Sequence, residues 1–175
     1  MKPILIGIDR DGTLIENDGE FPGSKWPNET AKLMPDVVEG LHILKKLPNV
    51  ALIMVTNQSG PARGKVTLEQ TNAFNAHVND LLKKQGVGLQ GIYSCEHAPP
   101  TYAERYVKAG AFIDTTYIKV CPDWKPSIGL LEKAARDCFG KTLQECDVYM
   151  IGDRHTDPET GINAGGKGVF IESAG

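Results

Sequence analysis

The sequence predicts an α/β fold, a Rossmann-like doubly wound parallel sheet. Two observations carry this. Short apolar, β-rich runs recur at Ile4 to Ile8, Ala51 to Val55, Gly91 to Ser94, Val148 to Ile151 and Val169 to Ile171, and stretches of helical period separate them. The runs are apolar almost throughout, as in Ala51-Leu52-Ile53-Met54-Val55, which suits strands covered by helices on both faces.

The first helix is expected to begin near Asp36, with Val37, Leu41 and Leu44 on one face. A second starts at Thr67, where Thr67-Leu68-Glu69-Gln70 has the form of a capping box, and carries Phe74, Val78, Leu81 and Leu82 as its apolar stripe up to Gly86. The third follows Pro126, runs from about Ser127 to Phe139 and stops at Gly140. A short fourth helix, around Pro158 to Ala164, precedes the last strand. Glu16 to Met34 and Ala98 to Val120 resist the pattern and are expected to be long functional loops.

With 175 residues, the chain is expected to form a single domain spanning 1–175, large enough to bury a core. No apolar run is long enough to cross a bilayer, and the N-terminus lacks the hydrophobic stretch of a signal peptide, so a cytoplasmic protein without membrane contact is expected; the chain is also expected to be a monomer. Nineteen Lys and Arg against 22 Asp and Glu, with no basic run, argue against a nucleic-acid partner. In that compartment the four cysteines should not be bridged, which leaves burial or metal binding to account for them. Cys138, on an apolar helix face, reads as core, and Cys146 has no evident metal partner.

Ligands of open parallel sheets bind beyond the carboxyl ends of the strands, so the residues just after each strand are the first candidates for chemistry. These are Asp9-Arg10-Asp11-Gly12-Thr13, Thr56-Asn57-Gln58-Ser59-Gly60 and Gly152-Asp153-Arg154-His155-Thr156-Asp157. Carboxylates gathered at one rim stay ionised only beside a cation, and a hard one such as magnesium accepts oxygen ligands, which marks Asp9 and Asp153 as metal ligands. A carboxylate beside bound phosphate can attack phosphorus, with a second as acid/base, and Asp9 and Asp11 are spaced for those roles. Thr56 would hold a phosphoryl oxygen, and Lys125, ahead of Pro126, would neutralise phosphate charge.

With four signatures in order, Asp9 to Thr13, Thr56, Lys125-Pro126 and Gly152 through Asp157, the chain resembles the phosphatases of the haloacid dehalogenase superfamily. The run Thr56 to Lys65 is similar to the small group without a large cap domain that contains heptose bisphosphate phosphatases, and Gly152 to Asp157 to the related histidinol-phosphate phosphatases. The resemblance implies Asp9 as nucleophile and metal ligand, Asp11 as acid/base with its backbone carbonyl on magnesium, and Asp153 as a further ligand. Thr56, Asn57, Gln58, Ser59 and Lys125 would bind substrate, a small phosphorylated metabolite of the sugar-phosphate kind.

Members of this group also carry a structural zinc, which here implies Cys95, His97 and Cys121, with Asp123 standing where a fourth thiolate is expected. Trp124 stands where the heptose enzymes have a substrate-contacting Arg, and Phe21 to Trp26 replaces their first-loop sequence. Against the sugar-phosphate reading stand histidinol phosphate as substrate, a 3'-phosphatase acting on nucleic-acid ends, and a non-catalytic phosphometabolite-binding module.

Overall fold

A computed structural model describes residues 1–17 and 21–172; three residues of the expected first loop, 18–20, lie outside the described residues. Five strands, β1 (Ile4–Ile8), β2 (Val50–Asn57), β3 (Gly91–Cys95), β4 (Asp147–Gly152) and β5 (Lys167–Phe170), form one parallel sheet in the order β3-β2-β1-β4-β5. The chain moves outward from β1 through β2 to β3, then returns to place β4 on the other side of β1. The topological switch point therefore lies between β1 and β4.

Side chains alternate along each strand and divide the core in two. Leu5, Ala51, Ile53, Val55, Val148 and Met150 meet Leu130, Leu131, Ala134 and Ala135 of α4 (Gly129–Phe139) on one face. On the other, Ile6, Ile8, Leu52 and Met54 meet Leu41 of α1 (Val37–Leu44) and Phe74, Val78 and Leu82 of α2 (Leu68–Lys84). This two-sided covering is why the strand sequences are apolar at nearly every position. Gly7 belongs to the α4 face, where a Cβ would stand 2.8 Å from Met150 Sδ and 3.1 Å from Leu131 and Val55. Only glycine lets α4 approach the centre of the sheet so closely.

The second helix begins as expected: Thr67 Oγ1 accepts from Gln70 N, and the Gln70 side chain accepts from Thr67 N. The helix after Pro126 starts at Gly129 rather than Ser127, since Pro126 to Ile128 complete a turn first, with Ser127 N donating to Trp124 O. The Ala98 to Val120 segment differs more. It contains α3 (Pro100–Lys108) and a 3₁₀ turn at Thr115–Tyr117, and its ends are drawn together by a bridge between Ala98 and Ile118. Pro100 at the first turn, Tyr102 and Tyr106 one turn apart and buried Ala103 account for the helix. The last helix, α5 (Thr156–Asn163), starts directly after the Asp153 loop. Among the described residues, no helix is long and apolar enough to cross a membrane.

Candidate active site

Asp9 is the first residue beyond β1, and its amide donates to Ile151 O of β4, which fixes it at the switch point. The chain then turns tightly on the Arg10 carbonyl, which accepts from the amides of Thr13, Leu14 and Ile15. Gly12 makes the turn possible at φ 79°, and a Cβ there would collide with the Asp153 carboxylate.

Asp9 and Lys125 are only 5% and 3% exposed. Lys125 Nζ donates to Asp9 Oδ1 at 2.7 Å, to Asp157 Oδ1 at 2.6 Å and to Val55 O at 2.9 Å. Asp157 is pinned in turn, since its Oδ2 accepts from Arg154 N at 3.0 Å. Burial favours the neutral amine, yet the charges of Asp9 and Asp157 win and hold the Lys125 ammonium above its usual range. Burial pushes the Asp9 carboxyl up to about 6; Lys125 opposes this, while Asp157 and Asp11 add to it. The site thus crowds more negative charge than one lysine neutralises.

Asp153 sits beyond β4 on the other side of the switch point. Its Oδ1 is buried without a hydrogen-bond partner among the described residues, and burial again raises its carboxyl pKa. Asp9, Asp153 and Asp157 each offer an oxygen within 4.8 Å of the others. Both Asp157 oxygens are engaged, so Asp153 and the remaining oxygen of Asp9 are free to meet a cation. An orphaned oxygen on Asp153 beside Asp9, two carboxyls whose pKa values burial raises, fits a hard divalent ion.

Asp11 has different surroundings. Arg10 grips it from Nε and Nη2 at 2.8 and 2.9 Å, and Gln58 Nε2 donates to Oδ2 at 2.9 Å. Burial alone would raise its carboxyl pKa, but the Arg10 charge and these hydrogen bonds take it below the usual carboxylate range. Sequence reasoning missed Arg10. Wholly buried, it also donates to Asn75 Oδ1 at 2.7 Å and Gln58 Oε1 at 2.8 Å and lies over the Phe74 ring.

The residues after β2 divide their work. Thr56, 1% exposed, accepts from Gln58 Nε2 at 2.8 Å. Gln58 thus links Thr56, Asp11 and Arg10. Asn57 accepts from Lys125 N and donates to Lys125 O, clamping the lysine backbone beside the sheet. Ser59 Oγ pairs with Tyr102 Oη of α3 at 2.7 Å, so the α3 segment stands over this rim.

Cys95, His97 and Cys121 come together as expected, with Cys121 Sγ 3.7 Å from Cys95 Sγ and 3.5 Å from His97 Nδ1. Asp123 does not join them. Trp124 N donates to Cys121 O in a tight turn, and Asp123 is left facing α4, where Lys133 Nζ pairs with its carboxylate. The set is therefore Cys-His-Cys, a donor set that suits zinc and leaves a fourth position open. Burial pushes the Cys95 thiol up to about 12, so without a metal it is protonated at neutral pH, and a metal would have to displace that proton. Cys138 is partly buried against the α4-side core and Cys146 is buried; both are free thiols.

A parallel sheet with a carboxylate-rich switch point and a buried lysine beside the first carboxylate defines a hydrolase of the haloacid dehalogenase type. The HAD-hydrolase-like family model matches residues 124–174, the segment holding Lys125 and Asp153. D-glycero-beta-D-manno-heptose-1,7-bisphosphate 7-phosphatase of Escherichia coli K12 is 31% identical over 91% of this chain and 73% of its own length. The enzyme of that name from Photorhabdus laumondii is 33% identical over 87% of this chain and 71% of its own length. Among solved structures, the D,D-heptose 1,7-bisphosphate phosphatase of B. bronchiseptica, complexed with magnesium and phosphate, superposes with a TM-score of 0.69 at 23% identity, covering 94% of this chain and 78% of that one. The chain belongs to this family of HAD-like phosphatases.

Proposed function

We propose that the protein is a magnesium-dependent phosphatase acting on a sugar phosphate, with D-glycero-D-manno-heptose 1,7-bisphosphate as the best candidate, hydrolysed at the 7-phosphate. One observation carries the chemistry: Asp9 is buried between Lys125 and the orphaned oxygen of Asp153, with Asp11 two residues on. The substrate follows from relatives at 31 and 33% identity that bear that name.

Asp9, Asp153 and the Asp11 backbone carbonyl would hold magnesium, which when bound screens phosphate charge and keeps the carboxylates ionised. The free Asp9 oxygen attacks phosphorus, the ester P–O bond breaks, and the protonated Asp11 carboxyl gives its proton to the departing alkoxide. This leaves an acyl phosphate on Asp9 and a free alcohol. Water then attacks the same phosphorus and gives a proton to Asp11, now a carboxylate, and the bond to Asp9 breaks to release inorganic phosphate. Lys125 neutralises charge on the transferred group, while Thr56 and the amides that follow it hold its oxygens. Arg10 and Gln58 keep Asp11 ionised, the form that can accept the water proton. To serve as acid it must be protonated as substrate arrives, when phosphate brings new negative charge beside it.

Cys95, His97 and Cys121 would hold a structural zinc that ties the end of β3 to the turn before Lys125. Purified protein should contain about one zinc per chain by atomic emission, lost in Cys121→Ser; a metal-free native protein would refute this. We further read the chain as one domain of a monomeric, cytoplasmic enzyme, a compartment in which its four thiols would stay unbridged.

The function is tested by phosphate release with magnesium from a panel of heptose 1,7-bisphosphate, heptose 7-phosphate, histidinol phosphate and other sugar phosphates. Heptose 1,7-bisphosphate should give the highest kcat/KM, and a clear preference for histidinol phosphate would overturn the substrate assignment.

A further inference from the structure

We infer that Arg63 anchors a second anionic group of the substrate, carried on the part of the molecule that departs as the alcohol. The inference rests on the sugar-phosphate reading above and names what selects the substrate within it.

Arg63 lies in the loop after β2, its amide donating to Ser59 O at 3.1 Å and Gly60 O at 3.2 Å, so it is tied to the rim that holds Thr56. Its guanidinium carbon stands 4.5 Å from the Phe21 ring centroid and 4.2 Å from that of Tyr106 on α3. The two rings come from segments 85 residues apart in sequence, the first loop and the α3 insertion, and they meet at this one side chain. Arg63 is half-buried and has no carboxylate partner among the described residues. Rings lying against a guanidinium strip water from it and hold it still, but they leave its in-plane N–H donors free. A partly dehydrated, unneutralised guanidinium with an open fork suits a phosphate or carboxylate, which it can grip with two parallel hydrogen bonds.

The wall around Arg63 leads back to the chemistry. Tyr106 packs on Tyr102 at 4.7 Å between ring centroids, Tyr102 meets Trp124 edge-on at 5.7 Å, and Trp124 directly precedes Lys125. Ser59 closes the row through its bond to Tyr102 Oη. Two cationic ends are thus joined by ring faces: Lys125 for the phosphate that is cleaved, Arg63 for the anion that stays on the product, and the aromatic row for the carbon skeleton between them. Arg10 cannot serve as the second cation, because its Nε and both Nη atoms already donate to Asp11, Asn75 and Gln58.

The test compares wild type with Arg63→Ala and Arg63→Lys on matched pairs: heptose 1,7-bisphosphate against heptose 7-phosphate, and 6-phosphogluconate against glucose 6-phosphate. The readout is the ratio of kcat/KM within each pair. Loss of a charge-assisted contact should lower the ratio for the preferred pair about 10- to 100-fold in Arg63→Ala, through KM, with partial recovery in Arg63→Lys. The pair that responds tells whether the anion is a phosphate or a carboxylate. An unchanged ratio, with both members losing equally, would assign Arg63 to holding the wall together and overturn the inference. Wild type that hydrolyses these esters without preferring the second anion removes the inference alone, and wild type that hydrolyses none of them removes the sugar-phosphate reading and the inference with it.

Discussion

Asp9→Asn should abolish turnover while leaving the protein folded, and in the metal-free state as stable as wild type or more so. The activity loss follows from chemistry. An amide oxygen is a poor nucleophile and forms no acyl phosphate, and losing a nucleophile outright costs on the order of 10⁴-fold or more in kcat. The stability effect follows from electrostatics. The folded-state pKa of Asp9 is raised from 3.8 to about 6, so the folded protein binds this proton more tightly than the unfolded chain does. Ionising Asp9 therefore costs stability as pH rises from about 4 to 6, and the full cost is present at neutral pH. Asparagine removes that charge from beside Asp157 and Asp11 and still offers an oxygen to Lys125. Phosphate release over a magnesium titration, with melting curves recorded in chelator, checks both halves. Retained turnover would exclude Asp9 as nucleophile, and a lower melting temperature would mean that the Lys125 ion pair outweighs the crowding of carboxylates.

Much of this site was legible before any coordinates because its parts stand at strand ends. A buried parallel strand has an apolar sequence that stops abruptly, so Asp9, Thr56 and Asp153 each announce themselves as the first polar residue after such a run, and the parallel order brings them to one edge. Lys125 has no strand before it and is marked instead by Pro126 and the helix that follows. What could not be read depends on contacts distant in sequence. The nine residues of α3 carry too short a periodic signal to stand out amid Gly and Pro, and the helix is held by its packing near Ser59 and Trp124. Asp123 has the right chemistry for a metal ligand at a matching position, but the turn on Cys121 and the presence of Lys133 ten residues on decide its direction. The partners that hold Arg10, Gln58 and Asn75, lie 48 and 65 residues away.

Arg10 leads to the second large effect. As the residue between two carboxylates of the motif it resembles a solvated spacer, yet it is wholly buried and links three elements: the turn after β1, the loop after β2, and α2 through Asn75. Arg10→Met fills similar space without charge, so what it removes is the pairing. Asp11 is left largely buried with the Gln58 hydrogen bond and the more distant Lys125 charge, and Asn75 and Gln58 each lose a donor. Breaking a buried pair from one side costs about 3–5 kcal/mol, or roughly 6–20 °C in Tm for a chain of this size. The loss has a pH signature. Asp11 has its folded pKa lowered from 3.8, so its contribution to stability is present above 3.8 and disappears as pH falls through the lower folded value; the gap between wild type and variant should narrow there. Adding Asp11→Asn to Arg10→Met removes the stranded charge and should recover at least about 1 kcal/mol, a coupling that simple loss of packing would not produce. Urea unfolding of the two single variants and the double variant decides the matter: a single-variant loss below about 1 kcal/mol, or strict additivity in the double, would make Arg10 a packed side chain and not the brace that aims Asp11.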